Sequence, residues 1–481
     1  MGPAVSGRSS MLKESPIAIV GGGLAGLTLS IGLSHNNIPH KIYESALAFS
    51  EIGAGIALGP NSVKALELID SAIGEGFKKC VTYNEGVDAD DNGNGTGPRS
   101  SEWMDIRIGM KDSFNTLITT VSHKGSKAPG RACFHRAKFL DELIKLIPAD
   151  TAQFGKSLTA IKGDEGREGN LILHFADGTT TSASAVIACD GIKSRVRQSY
   201  ILADDPDQPA AHPQFANEYA YRGLYTREQF VSLTQGQLTP GKGTLFCGND
   251  GYIVMYPVEK GRFMNMVAVK RVSPSSGVGG QPFMAPKAGD TNWVQPVDKA
   301  TMLGDFADWG ESIQALLSQI QRPERWALFD HLPAPTYVKG KVVILGDAAH
   351  ASTPHQGQGA GMAFEDSLIL SGVLSKVLGP DPEIPTETRA SDSSIDAKIE
   401  ACFRAYDTVR RPRTQEVCRT SREMGEMIEF TLPGIGRDLT KMKSNLDKRM
   451  DWIWDLDLQA EVQRAVDIAE GILRGTEAES I

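Results

Sequence analysis

The spacing of apolar and polar positions changes several times along this 481-residue chain. The β-branched run from Ile17 to Val20 predicts a buried strand. After three glycines, the apolar positions Leu24, Leu27, Leu29, Ile31 and Leu33 predict a helix. A second strand is predicted at residues 41–44. A helix should follow from Asn61, a suitable N-cap, through Val63, Leu66 and Ile69. Alternation at 104–108 and a β-rich run near Leu117 read as strands. Phe139, Leu140, Leu143, Ile144 and Ile147 then share one helical face. A hairpin-like pair is expected near Thr159 and at 171–175, turning at Asp177-Gly178.

Further on, an apolar strand at 185–189 runs straight into Asp190-Gly191. Residues 215–330 carry the pattern of an antiparallel sheet, with strands at 218–225, 244–246, 251–256, 263–269 and 326–329. A Gly/Pro/Ser-rich loop at 273–296 interrupts it, and a helical patch is expected at 313–320. A strand from Lys341 ends at Gly346-Asp347. Met362, Phe364, Leu368, Leu370, Val373 and Leu374 mark the helix after it. Residues 398–474 read as helical, with Trp452 and Trp454 packing on the main body.

The composition is that of an ordinary globular protein, with 41% hydrophobic and 23% charged residues. Its net charge of −9 argues against broad phosphate-backbone binding, so nucleic acid is not an expected partner. No apolar run reaches the roughly 20 residues that span a bilayer. Residues 1–15 lack a signal-peptide core and read as a disordered lead-in. Six cysteines without a C-x-x-C pair fit a reducing, cytoplasmic setting. His350 and His355 have no third ligand at metal-site spacing, so no metal is expected.

Three motifs carry the chemistry. Gly21-x-Gly23-x-x-Gly26 sits between strand and helix, as a dinucleotide site requires. Gly21 permits a tight turn, Gly23 backbone approach to a pyrophosphate, and Gly26 close helix–strand packing. Glu44 ends the next strand, where a carboxylate meets a ribose hydroxyl. Asp190-Gly191-x-x-Ser194-x-x-Arg197 places an acid at a second strand end, and Gly346-Asp347 at a third. Gly357, Gly359 and Gly361 open backbone N–H groups toward a flat, electron-accepting ring. Strand alternation is expected to set Arg222 among Tyr219, Tyr221 and Tyr225.

In this order and at these separations, the three motifs resemble the single-component FAD-dependent aromatic monooxygenases, the group of para-hydroxybenzoate and salicylate hydroxylases. The stretch 346–366, with Pro354-His-Gln-Gly-Gln-Gly-Ala-Gly361, is most similar to salicylate hydroxylases. Segments 221–223 and 255–257 resemble those enzymes and also polyketide phenol hydroxylases and oxidative dearomatases. The resemblance implies an α/β fold: a Rossmann-type FAD-binding domain, an inserted β-sheet substrate domain and a helical C-terminal region. The FAD domain would be discontinuous, at 16–82, 131–214 and 335–378. The substrate domain would comprise 83–130 and 215–334, with a linker at 379–397 and the helical region at 398–481.

The resemblance also implies residue roles. Glu44 would bind the adenosine ribose, and Gly55 and Ala57 would line the flavin side. Arg136 would reach the pyrophosphate or ribityl region. Asp190 and Arg197 would support the pyrophosphate and the docking of NADH or NADPH. Asp347 would hold the ribityl chain, with Gly359 and Ala360 near the isoalloxazine. Arg222 and Tyr256 would face a small phenolic substrate and stabilise its phenolate. In that family NAD(P)H reduces FAD, dioxygen adds at the flavin C4a, and the distal oxygen attacks the ring. A salicylate-like substrate with decarboxylation is the first expectation. Hydroxylation or dearomatisation of a polyketide phenol is the second. A flavoprotein oxidase or a non-catalytic flavin-binding protein is the alternative of another class.

Overall fold

The structure is a computed structural model describing residues 12, 14–49, 55–85, 101–123, 130–163, 169–272, 293–379 and 394–475. The lead-in before residue 12, most of the glycine loop before Gly55, the insertion at 88–100, and most of the 273–296 loop and of the linker lie outside them.

Strand β1 (Ile17–Val20) is buried at every position, as a central strand of a parallel sheet must be. Its sheet runs in the order Val338–Lys339, Val342–Ile344, Val186–Ala188, β1, His40–Tyr43, Ala152–Gln153. All pairings are parallel except that of the first strand. Helix α1 (Leu24–His35) follows the glycine turn and is buried on nearly all sides. The expected hairpin is a three-stranded sheet of Leu158–Gly163, Leu171–Phe175 and Thr180–Ala183. Its third strand is Thr-Thr-Ser-Ala, too polar to register as a strand by hydrophobicity.

A second sheet has eight strands. They include β2 (Glu102–Ile108), β3 (Gln214–Thr226), β4 (Gly251–Val258), β5 (Phe263–Arg271) and β6 (Glu324–Asp330). The order is Val294–Pro296, β6, β3, β5, β4, Thr244–Gly248, β2, Leu117–Ser122. The segment 102–122 therefore joins the sheet of residues 214–330 by a parallel pairing of β2 with Thr244–Gly248. The end of the expected 273–296 loop is a strand, Val294–Pro296, paired with β6.

Helix α2 (Gly359–Leu378) packs on α1, and α3 (Ile395–Ile428) packs on α2. Helix α3 starts three residues earlier than the pattern implied and carries Pro412 inside it. Two hydrophobic cores result, one around the parallel sheet and one under the eight-stranded sheet. Among the described residues, no helix is long and apolar enough to cross a membrane.

Candidate active site

Four parallel strands end at one level. Val20 pairs with both Tyr43 and Ala188, and Ala188 pairs with Ile344. The segments just past these strand ends are thereby gathered at one edge: the glycine turn, Glu44, Asp190 and Gly346-Asp347. A crevice at the carboxyl ends of a parallel sheet is where such folds bind ligands.

Gly21 has φ +100°, and a Cβ there would lie 2.4 Å from the Cys189 carbonyl oxygen. A Cβ on Gly26 would lie 2.0 Å from the Gly21 oxygen. Only bare backbone fits at both positions. Gly23 caps α1 without a side-chain bond, which leaves the first N–H groups of the helix open. Glu44 accepts the Gly22 N–H at 2.6 Å and the Ala46 N–H at 2.7 Å, so its carboxylate is fixed beside the turn.

Asp190 accepts the Arg195 and Val196 N–H groups through Oδ2, while Oδ1 is buried without a partner. Burial pushes its pKa up. Asp347 is exposed and follows Gly346, whose φ is +63°. Gly359 and Ala360 begin α2, and its N-cap Gln358 makes no side-chain cap bond. This 20-residue helix therefore directs open N–H groups outward from its N-terminus. Arg136 opens the helix Arg136–Ile144. Gly23, Gly55, Ala57, Arg136, Arg222, Tyr256, Asp347, Gly359 and Ala360 all line one cavity of about 680 Å³. Glycine turn, ribose-type acid, open aspartate and two helix N-termini together fit FAD. Among the described residues, no His/Cys/Asp/Glu group could hold a metal ion.

Several expectations need correction. Arg197 is wholly buried and donates to the carbonyls of Ala210 (2.7 Å), Ala348 (3.2 Å), Ala349 (2.7 Å) and Leu332 (3.0 Å). It clamps the turn after Asp347 with four of its five N–H donors, so it serves the backbone rather than a pyrophosphate. Burial lowers its pKa to about 10, still charged at neutral pH. Arg197→Met is expected to cost about 3 kcal/mol, because four carbonyls lose their donor. Thermal unfolding measures this, and an unchanged Tm would remove the clamp from the argument.

Tyr256 lines the cavity, but its hydroxyl proton is already placed, which leaves the oxygen only as an acceptor toward a substrate. The hydroxyl donates to the Gly55 carbonyl at 2.7 Å. Gly55 is small for the same reason, since its Cβ would sit 2.9 Å from the Tyr256 ring. Arg222 keeps different aromatic company from that expected. Successive strand residues alternate faces, so Tyr219, Tyr221 and Tyr225 point away from it. Tyr219 and Tyr221 donate to Asp305, and Tyr225 donates to the Leu316 carbonyl. Arg222 faces the cavity, with its guanidinium 4.1 Å from the Trp326 ring centroid. Partial burial pulls its pKa down.

Other groups at and behind the cavity make contacts that the sequence did not foretell. Asn61 is not the N-cap; Gly59 is, and Asn61 donates to Glu365 at 2.8 Å from the first turn. Glu365 and Asp366 are buried and bound by Arg410, with Arg413 also on Glu365. Asp366 also contacts His350 Nε2 at 2.5 Å and accepts the Gly346 N–H at 3.1 Å. The visible signal was two acids inside an apolar helix and arginines three apart at 410 and 413. His355 lines the cavity, 3.2 Å from Glu218 and 3.1 Å from the Tyr252 hydroxyl. Burial lowers its pKa, but the Glu218 carboxylate outweighs burial and the net direction is up.

The profile of the FAD binding domain family matches residues 254–383. A 6-methylsalicylate 1-monooxygenase of Aspergillus terreus is 36% identical over 95% of this chain and 93% of its own. A salicylate hydroxylase of Pseudomonas putida is 34% identical over 93% of this chain and 94% of its own. The solved structure of a salicylate hydroxylase substrate complex superposes with a TM-score of 0.77 at 33% identity. It covers 94% of this chain and 98% of that one.

Proposed function

This chain belongs to the FAD-dependent aromatic monooxygenases, and from that premise we propose that its substrate is a phenolic acid of the salicylate type, hydroxylated at the carboxyl-bearing carbon. The enzyme uses NAD(P)H and dioxygen to hydroxylate an aromatic ring. Bound FAD supplies acceptance of hydride and activation of dioxygen. The observation that carries the substrate reading is the Arg222 guanidinium, stacked on Trp326 and turned into the cavity that Asp347 and α2 also border.

The chain's residues have separate tasks in this reading. Glu44 and the α1 N-terminus hold the adenosine and pyrophosphate portions, and Asp347 holds the ribityl chain. The open N–H groups of Gly359 and Ala360 would hold the flavin ring system and favour negative charge beside it. Arg222 stabilises the phenolate, which raises the nucleophilicity of the ring carbon ortho to it. Arg222 is exposed where it borders the cavity, so solvent screens part of this effect. Oxygen transfer to the carboxylated carbon, loss of carbon dioxide and rearomatisation give a catechol. Each turnover consumes NAD(P)H, dioxygen and two protons, and releases carbon dioxide and water. Residues 16–82, 131–214 and 335–378 chiefly serve the flavin, and 83–130 with 215–334 chiefly serve the substrate.

The test is NAD(P)H oxidation by the FAD-loaded protein with and without salicylate, with mass analysis of the product. Stimulated oxidation with catechol formed is expected. Absence of stimulation by any phenolic acid would overturn the substrate reading. A non-aromatic product from a larger phenol would replace it with dearomatisation, and turnover without NAD(P)H with an oxidase. Arg222→Ala is expected to lower the hydroxylation rate by about 100-fold or more with FAD retained. FAD loss in that variant would place Arg222 in the wrong site.

A further inference from the structure

We propose that Arg131 is a second anion-binding residue of the cavity and receives the carboxylate of the aromatic substrate, leaving Arg222 for the phenolate. This inference rests on the phenolic-acid reading above. Arg131 stands just before the strand Ala132–His135, and its N–H donates to the Glu102 carbonyl at 3.3 Å. That contact fixes where the side chain starts. The side chain is only 4% exposed and lines the same cavity as Arg222.

Its surroundings are unusual for a buried cation. The guanidinium lies 5.1 Å from the Trp103 ring centroid and 4.6 Å from that of Tyr256. Its Nε donates to Cys133 Sγ at 3.2 Å. Burial keeps that thiol protonated against the pull of Arg131, so it is no counter-ion. Nη1 is buried with no partner. Among the described residues, no carboxylate pairs with Arg131. The nearby acids Glu102 and Asp105 are both held by Lys242 at 2.8 Å.

The other buried guanidiniums among the described residues are satisfied: Arg197 by four carbonyls, Arg410 by two carboxylates, Arg413 by Glu365 and Arg325 by Asp305. An uncompensated buried cation is costly. Two aromatic rings offset part of that cost. Nη1 remains a donor that a carboxylate can take. Trp103 also borders Gly357, in the turn that leads into α2. Arg131 therefore sits on the side of the cavity next to the loop expected to carry the flavin ring. Arg131, Arg222 and Tyr256 all border this cavity, and both cations pull on the Tyr256 phenol. A ring bearing a carboxylate beside a phenolate presents one anion to each.

The experiment titrates FAD-loaded protein with salicylate and with salicylamide, its neutral amide counterpart, following the flavin absorbance. Arg131→Met keeps the stem between the two rings and removes the charge. It is expected to raise the Kd for salicylate about 10- to 100-fold and that for salicylamide less than about threefold. Arg131→Lys should recover part of the loss. Equal weakening of both ligands, no weakening of either, or release of FAD would overturn the proposal. The two readings fail separately. If wild type converts salicylate and Arg131→Met leaves the ratio of the two Kd values unchanged, the anion site falls and the function stands. If salicylate binds through Arg131 but no phenolic acid stimulates NAD(P)H oxidation, the proposed substrate falls and the anion site stands. A wild type that binds neither ligand overturns both.

Discussion

Arg410→Met is expected to cost about 3–5 kcal/mol of stability, because it leaves buried carboxylates without their cation. Arg410, Glu365 and Asp366 are all fully buried. The guanidinium binds Asp366 through Nε and Glu365 through Nη1, each at 2.8 Å. Glu365 keeps Arg413, so the larger damage falls on Asp366. Burial pushes the Asp366 pKa up, but His350 and Arg410 outweigh it and hold it at about 2. A depressed carboxylate pKa contributes stability above the unfolded value of about 3.9, and loses it as pH falls toward 2. Without Arg410 the Asp366 pKa rises. The difference between wild type and variant should therefore be largest at neutral pH and shrink on acidification. Because Asp366 also holds the Gly346 N–H, FAD retention should fall with stability. Denaturant unfolding at pH 7 and pH 4 tests both statements. A loss under about 1 kcal/mol at pH 7 would show that this ion network does not support the Asp347 turn.

Gly26→Ala should abolish stable FAD binding. The added Cβ would lie 2.0 Å from the Gly21 carbonyl oxygen, a backbone atom that no rotamer change can move. Either α1 shifts off β1 or the glycine turn deforms, and both remove the N–H groups from the pyrophosphate position. Overpacking of this kind costs about 3 kcal/mol or more. Gly304→Ala is the matched control. Nothing lies within 4 Å of its would-be Cβ, so the change should be neutral or stabilise by about 0.5 kcal/mol. Flavin absorbance after gel filtration distinguishes the two variants. Full FAD retention in Gly26→Ala would mean that the turn tolerates a side chain and that the packing argument is wrong.

Local signals located the segments that the structure gathers at one edge of the parallel sheet. The strand, the glycine turn and the helix at 17–35 are consecutive in the chain, so periodicity and the need for bare backbone could be read directly. The same holds for Glu44, Asp190 and Asp347, each at the end of an apolar run. Long-range pairing was not readable. Arg410 on α3 lies 44 positions along the chain from Asp366 on α2, and only packing shows the one reaching back to the other. Arg197 occupied a recognised motif position, yet its four carbonyl partners come from residues 13 to 152 positions away. No spacing rule assigns such partners. Arg131 attracted no notice in the sequence because its significance is the absence of a counter-ion, which only the arrangement of its neighbours shows.

The sequence by itself determined the class of ligand and the strand ends that meet at one edge of the sheet. Those depend on backbone conformation, which glycines and strand ends encode locally. The tertiary structure decided which side chains are free to act. Arg197 gives four donors and Tyr256 its one donor to carbonyls, whereas Arg131 keeps an unpartnered donor and Arg222 borders the cavity. The physical reason is that a polar group's chemistry depends on what already satisfies it, and those partners are assembled by packing between distant segments.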